Sequence, residues 1–416
     1  MAAHLKQILI VSYYFPPVIN VEAIQVLHKA MGLSKQGWRV QVLASGEDTR
    51  GKLDPSLCQL LDPDITVHRT VSLSVPVRLV SELIGKYLQY PDRHRWWVKK
   101  ALHHTDQILK ADYCPFLYTH STPLSAHLVG LRLKAQHRVK WVAHFSDPWT
   151  DNPYITYPFT LQATWNRRME HAVMDRADLI SVTSQPIADL FLRRYPAASD
   201  KMMVVPHCFS SSLVPSATVQ NDPQRVRIVH TGNIYANRTP EGFFRGLRLF
   251  LDRAQSSTEK LSVDLFGRIT PEHARWVRDL NLGATVHIHP ALPYLGSLSQ
   301  IRQADFVLLI DAPAAESVFL PAKLIDYLGV GAPILALTPE KGVTSALVRE
   351  AGGWVVDPLD ADGVARALAS AVASVKSRRT EMLSKAYQRV REQFECERVM
   401  AAFSGRLESL LSEARV

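Results

Sequence analysis

The run with the most chemistry in it is Phe319-Leu-Pro-Ala-Lys-Leu-Ile-Asp-Tyr-Leu-Gly-Val-Gly-Ala-Pro333. Pro321 suits the first turn of a helix, where its missing N–H costs nothing. The free N–H groups of such a turn favour an anion. Lys323 adds a full charge in the same turn. Asp326 follows three residues later, on the face it shares with Lys323, and a carboxylate there can accept from two vicinal ribose hydroxyls. A second run is His230-Thr-Gly-Asn-Ile-Tyr-Ala-Asn-Arg238. A glycine directly after a strand, Gly232, lets backbone amides approach a phosphate, and Arg238 offers a forked donor for a diphosphate. The run matches neither GxGxxG nor the Walker pattern, which counts against a nicotinamide enzyme or an NTPase.

A third run is His144-Phe-Ser-Asp-Pro-Trp-Thr150. His144 can polarise or protonate a hydroxyl near neutral pH, and Asp147 can orient it or accept a proton. Asp147 equally suits a cap before Pro148. A fourth is Pro91-Asp-Arg-His-Arg-Trp-Trp-Val-Lys-Lys100, preceded by an amphipathic stretch, Val77–Leu88. Basic residues beside Trp96 and Trp97 suit an anionic membrane surface. The same pattern also fits a helix packed by its two tryptophans.

Elements that would position these runs alternate along the chain. Gln7–Ser12 is a short apolar run typical of a buried parallel strand. A helical pattern spans 21–36, with Gly37 at its C′ position, and Arg39–Ala44 is the next strand. Further strands are expected at Phe116–Thr119, Lys140–Ala143, Leu179–Thr183 and Met202–Val205. After an aperiodic stretch the alternation restarts, with strands at Arg227–Thr231, Ser262–Phe266, Val286–His289, Phe306–Ile310, Ile334–Leu337 and Trp354–Val356. The expected organisation is a doubly wound α/β domain over 1–207, a linker over 208–225, a second such domain over 226–375, and a charged helical tail over 376–416 packing back on the first domain. Ligands of such sheets sit at the carboxyl ends of the strands. That directs attention to the loops holding Tyr14, Asn20, His120, Ser121, Trp149, Gly267 and Arg268.

At roughly 150 residues per domain, 416 residues allow two full cores. Apolar residues make up 47%, which excludes wholesale disorder. A formal net charge of +9 fits anionic partners. The four cysteines, Cys58, Cys114, Cys208 and Cys396, form no CxxC pair, so neither a zinc site nor a disulfide framework is expected, and a reducing cytoplasm is the simplest home.

Taken together, these runs resemble the family 4 glycosyltransferases of GT-B fold, in their bacterial subset. ILIVSYYFPP is similar to that family's opening strand and loop. THSTPLSAHLVG resembles its S-x-P-P-x-x-x-H-x-x-G segment, FSDPWTDNPY its F-R-D-P-W-T-x-N-P, and HTGNIYANRTP its H-T-G-x-x-Y-x-x-R-x-P. LPAKLIDYLGVGAPILAL is similar to P-x-K-L-x-E-Y-L-A-x-G-x-P-I-L-A. The resemblance covers almost the whole chain.

It implies two Rossmann-like domains facing a central cleft. It also implies retaining transfer of a sugar, hexosyl in kind, from a nucleotide sugar to a hydroxyl in surface polysaccharide, lipopolysaccharide or glycolipid assembly. The alternative is a non-catalytic nucleotide-sugar-binding or scaffolding protein. Arg238 and Lys323 would hold the diphosphate and act with Asp147 and His144 as the catalytic set. Gly232, Asn233, Gly267, Arg268, Glu316, Pro321 and Asp326 would complete the donor site. Tyr14, Asn20, Gln25, His120, Ser121 and Trp149 would face the acceptor, a glycan or lipid-linked molecule. No metal or other cofactor is implied and no nucleic acid is expected. The site of action would be the cytoplasm, with peripheral attachment to the inner membrane face through 76–104.

Departures from the family pattern fall mainly on the acceptor side. The first loop, Val18-Ile-Asn-Val-Glu-Ala-Ile-Gln25, lacks glycine and has Gln25 where arginine is common. His144-Phe-Ser-Asp147 stands for D-F-R-D. On the donor side, Asp326 replaces the ribose glutamate, and nine residues rather than seven separate Glu316 from it.

Overall fold

The computed structural model describes residues 6–46, 53–71, 80, 90–216, 225–234, 237–253, 260–378 and 384–413. The chain divides into two compact units, one of Met1–Cys208 with Cys396–Val416 and one of Phe209–Glu395.

The first unit is built on β1 (Gln7–Ser12), β2 (Arg39–Ala44), β3 (Thr66–Arg69), β4 (Phe116–Ser121), β5 (Lys140–Phe145), β6 (Leu179–Val182) and β7 (Met202–Val204). All six residues of β1 and of β4 are buried, the mark of strands covered on both faces. The sheet order is β3-β2-β1-β4-β5-β6-β7 and every pairing is parallel, with Ile8 level with Val40 on one side and Phe116 on the other. Winding therefore reverses between β1 and β4, where the carboxyl ends open a crevice. Helices α1 (Val21–Lys35), α2 (Trp97–Ala111), α3 (Ser125–Lys134), α4 (Thr160–Arg176) and α5 (Gln185–Arg194) supply the crossovers. Asn20 caps α1 by accepting from Ala23 N at 2.8 Å, and Gly37 follows its end in the left-handed region at φ 79°.

In the second unit β8 (Arg225–Thr231), β9 (Lys260–Phe266), β10 (Val286–His289), β11 (Phe306–Ile310), β13 (Ile334–Leu337) and β15 (Trp354–Val356) form a sheet in the order β10-β9-β8-β11-β13-β15. It too is parallel throughout and reverses between β8 and β11. A two-stranded patch pairs β12 (Glu316–Ser317) with β14 (Lys341–Gly342). The helices are α6 (Glu241–Arg253), α7 (Pro271–Asp279), α8 (Tyr294–Arg302), α9 (Ala322–Val330), α10 (Val343–Glu350), α11 (Ala361–Arg378) and α12 (Lys385–Glu392). Ile228, Phe243, Phe244, Leu247, Val263, Phe306, Leu308 and Leu368 lie in its core.

The expected tail is not one element. Helix α12 stays with the second unit, where Tyr387 OH donates to Tyr327 O at 3.1 Å and Ala332 O at 2.9 Å. Only the last helix, α13 (Cys396–Glu413), belongs to the first unit. There Trp38 Nε1 donates to Ser404 Oγ at 2.8 Å and Cys396 Sγ to the His28 carbonyl at 3.0 Å. The helices α1 and α13 approach so closely that a Cβ at Gly32 would meet Met400 Cγ at 2.5 Å. The expected linker is likewise already structured at its start. Phe209 N donates to Phe394 O at 3.1 Å, and a Cβ on Gly329 would strike the Phe209 ring. Phe209 and Phe394, both of the second unit, are buried.

Candidate functional site

At the carboxyl ends of β8 and β11 the second unit gathers cations around a glycine turn. Gly232 follows β8 at φ 103°, and a Cβ there would lie 2.4 Å from Lys323 Cε. Gly267 follows β9 at φ 145°, and its Cβ would lie 2.4 Å from the Gly232 carbonyl. Both positions need glycine for conformation and for space. Lys323 is the second residue of α9, and its Nζ lies 3.3 Å from Asn233 O and 3.4 Å from His230 Nε2. His230 donates Nδ1–H to the Leu308 carbonyl at 2.8 Å, so its Nε2 lone pair faces the amine. Burial, reinforced by the Arg238 charge, pulls the Lys323 amine down to about 7, with Asp311 and Asp326 opposing.

Asp311, one residue past β11, was missed in the sequence. Its Oδ2 accepts from Thr338 Oγ1 at 2.9 Å and its Oδ1 lies 3.9 Å from Arg238 Nε. Burial raises its carboxyl and Arg238 opposes that. The pairing holds Arg238 where its charge acts on the Lys323 amine. Asp326, one turn down α9, accepts from Tyr294 OH at 2.8 Å, and burial pushes it up to about 7. The signal for Asp311 was its place directly after a strand.

Three donor residues sit differently from expectation. Pro321 is the N-cap of α9, one residue ahead of the first turn, and the helix starts at Ala322. Arg268 is exposed and meets the turn through its backbone N–H, which donates to Asn233 Oδ1 at 2.9 Å. Glu316 is exposed on β12, a strand of the small separate sheet.

The first unit carries its own polar cluster, at the carboxyl ends of β1, β4 and β5. Glu22, in the first turn of α1, is its centre and was also missed. Its Oε2 receives His120 Nε2–H at 2.6 Å and Ser146 Oγ–H at 2.8 Å, and its Oε1 lies 3.4 Å from Thr122 Oγ1. Burial pushes the Glu22 carboxyl up to about 7, against the pull of Ser146 and Lys29. Lys29, two turns along the same helix, is 1% exposed, and its amine makes no hydrogen bond. Burial lowers that amine as well. Burial, then the Lys29 charge, holds His120, His144 and His207 neutral, well below the usual imidazole range.

Several acceptor-side expectations are corrected here. His144 is fully buried in β5, bonded through Nδ1 to Ser181 Oγ at 2.9 Å and stacked on His120 at 4.7 Å. It supports the His120 ring from below and is not presented to a ligand. Gln25 is 1% exposed and clasps the Cys208 backbone, accepting from its N–H at 3.0 Å and donating to its carbonyl at 3.3 Å. Trp149 is fully buried and donates to Asn166 Oδ1 at 2.8 Å. Asn20 uses its side chain as the α1 cap, and Ser121 Oγ donates to the His144 carbonyl at 3.2 Å. Tyr14 OH pairs with His94 Nε2 at 3.2 Å, and Asp147 is half-buried in the loop after β5. Trp97 is no surface residue: it is fully buried and donates to Thr70 Oγ1 at 3.1 Å. The amphipathic stretch 77–88 lies outside the described residues apart from Val80. Among the described residues no helix is long and apolar enough to cross a membrane.

A family model, the glycosyl transferase 4-like domain, matches residues 23–208, the stretch that carries the His120 and Ser146 loops. Residues 23–208 are thus similar to the glycosyl transferase 4-like domain. Solved structures of GT-B glycosyltransferases share its fold over nearly its full length. The sucrose-phosphate synthase of Thermosynechococcus elongatus is 16% identical, covers 98% of this chain and 100% of its own, and superposes with a TM-score of 0.72. An α,α-trehalose-phosphate synthase (UDP-forming) from Burkholderia xenovorans, in complex with glucose-6-phosphate, is 12% identical over 97% of this chain and 100% of its own, at 0.67. A lipopolysaccharide outer core galactosyltransferase is 13% identical over 97% and 99%, at 0.60. No curated protein matches the sequence. The chain thus has the GT-B fold of two Rossmann-like units.

Proposed function

We propose that this glycosyltransferase moves a sugar from a nucleotide-sugar donor, bound on the second unit, to a hydroxyl of a glycan or lipid-linked acceptor, bound on the first. Configuration is retained at the anomeric carbon. The observation that carries the reading is Lys323 packed on the Gly232 turn, with Arg238 near enough for its charge to act on the Lys323 amine, at the sheet's reversal point. Breaking a sugar–phosphate bond puts growing negative charge on the departing diphosphate. Two fixed cations at a helix start stabilise that charge without a metal ion. Asp326, one turn further on, would accept from the ribose hydroxyls.

Two of the acceptor-side departures from the family pattern are explained by contacts within the first unit. Ser146, where the family has arginine, donates to Glu22, and Gln25 braces Cys208. The crevice is rebuilt around one carboxylate. That supports a changed acceptor, rich in hydroxyls and without a phosphate at that position, and assembly of cell-surface glycans or glycolipids at the inner membrane face.

A thermal-shift screen of UDP- and GDP-sugars tests donor binding, since a ligand at 100 times its Kd stabilises the fold by about 2.7 kcal/mol. Sugar transfer by the responding donor is expected to persist in EDTA. Loss in chelator with rescue by magnesium would refute the two-cation leaving-group site. Glu22→Gln is expected to raise the acceptor KM more than the donor KM.

Proton uptake offers an independent check. The free Lys323 amine, at about 7, is mostly neutral at pH 8. A bound diphosphate raises its affinity for a proton. Binding at pH 8 should therefore take up a proton, approaching one per site, while Asp326, already ionised there, adds little. Calorimetry of UDP or GDP in two buffers of different ionisation enthalpy reads this directly. Uptake unchanged in Lys323→Ala would show that another group meets the phosphates.

A further inference from the structure

The segment between β5 and α4 presents an unusual surface. Among the described residues eleven large apolar side chains are exposed, and four of them fall within residues 154–161: Tyr154 at 47%, Ile155 at 37%, Phe159 at 66% and Leu161 at 56%. Their clustering distinguishes them from the scattered exposed apolar residues of an ordinary surface. Positions 161, 164, 168 and 171 repeat at helical spacing, so Leu161 shares a face of α4 with Arg168 and His171. Arg167 borders that face. Both arginines are exposed, and neither joins an ion pair among the described residues. Glu170 is turned inward, with its carboxylate on Thr150 and Tyr195.

The face is extended on two sides. Trp165 packs on Tyr90 with ring centroids 5.1 Å apart, and the Arg95 guanidinium lies 3.8 Å over the Tyr90 ring. Along α4 runs an open groove of about 790 Å³, lined by Arg167, Arg168, His171, Arg194, Tyr195 and Lys201. Asp175 is its one acidic lining residue. Two of these cations are engaged, Arg194 by Asp151 and Lys201 by the carbonyls of Asp175 and Ala177. An apolar tip therefore adjoins a strip of uncompensated positive charge.

We infer that residues 154–161 and the exposed face of α4 form a docking surface for an anionic lipid bilayer, with Phe159 and Leu161 entering the headgroup–acyl boundary and Arg167 and Arg168 meeting lipid phosphates. Apolar side chains beside arginines are what an interfacial surface needs, and neither half suffices alone. The segment leaves β5 at the carboxyl edge of the sheet, the edge that holds Glu22, so docking brings that crevice to the membrane surface. The inference does not depend on sugar transfer, because bilayer binding requires neither donor nor acceptor.

The test is co-sedimentation of the full chain with phosphatidylcholine vesicles, with and without 30% phosphatidylglycerol, at low and high salt. Binding is expected to need the anionic lipid and to weaken with salt. Phe159→Ser with Leu161→Ser should lower partitioning by roughly tenfold or more. Arg167→Glu with Arg168→Glu should abolish the dependence on anionic lipid. All four positions are exposed, so unchanged melting will show that the variants fold. Absence of wild-type binding, or variants that bind like wild type, overturns the inference. So does wild-type self-association in sedimentation velocity that the Phe159/Leu161 variant abolishes, which would make the face a contact between copies of the chain.

Discussion

Replacing Lys323 by alanine is expected to lower kcat for sugar transfer by roughly 100- to 1000-fold, the usual cost of removing one preorganised donor from a developing anion. The amine is held within 3.4 Å of His230 and Asn233 and is largely buried, so it cannot be replaced by water without rearrangement. An amine lowered to about 7 would gain its proton on meeting the proposed diphosphate. Arg238→Ala should behave likewise, because its guanidinium is held by Asp311 where its charge acts on the Lys323 amine. Lys323→Arg should not restore turnover, since a planar guanidinium does not reproduce the compact point charge of the amine. Asp326→Ala is expected to raise the donor KM with a smaller effect on kcat, because the ribose keeps its hydroxyls in the transition state. Steady-state kinetics on folded variants decides the matter, and near-wild-type turnover by Lys323→Ala would sink the leaving-group assignment.

The largest effect on stability is expected at Trp97. It is fully buried, stands edge-on to Tyr13 at 5.3 Å, and donates to Thr70 at 3.1 Å. Trp97→Ala should destabilise the first unit by about 3–5 kcal/mol through the cavity it leaves, a fall in its melting temperature on the order of 10 °C. Trp97→Phe keeps most of the ring and should lose about 1 kcal/mol with the hydrogen bond. Calorimetric melting of both variants separates packing from hydrogen bonding. A Trp97→Ala variant that melts like wild type would return this residue to the surface role its basic neighbours suggest.

Much of the architecture was legible because parallel strands buried on both faces read as unbroken apolar runs. Gln7–Ser12, Arg39–Ala44 and Phe306–Ile310 begin and end where that pattern does. Strand β3, Thr66–Arg69, escaped notice because it is an edge strand with no fully buried residue and so carries no such run. Lys323, Asp326, Gly232 and Arg238 were legible for a local reason: each belongs to a strand–turn–helix unit whose geometry is set within a dozen residues.

Side-chain direction was a different matter. Chain position placed Gln25, His144 and Trp149 beside the crevice, yet each points into the core, where Gln25 and Trp149 are hydrogen-bonded and His144 is held through Nδ1 alone. The Glu22 cluster could not be read at all. Its partners His120 and Ser146 lie 98 and 124 residues away, and only the parallel order that sets β1, β4 and β5 side by side brings their ends to one carboxylate. By itself the sequence determined the alternation of strands and helices and the local turns that carry Gly232 and Lys323, because these follow from residue type and spacing over a few turns. Tertiary structure alone decided which side chains meet, since that depends on strand order and on the packing of helices that the chain reaches only after long crossovers.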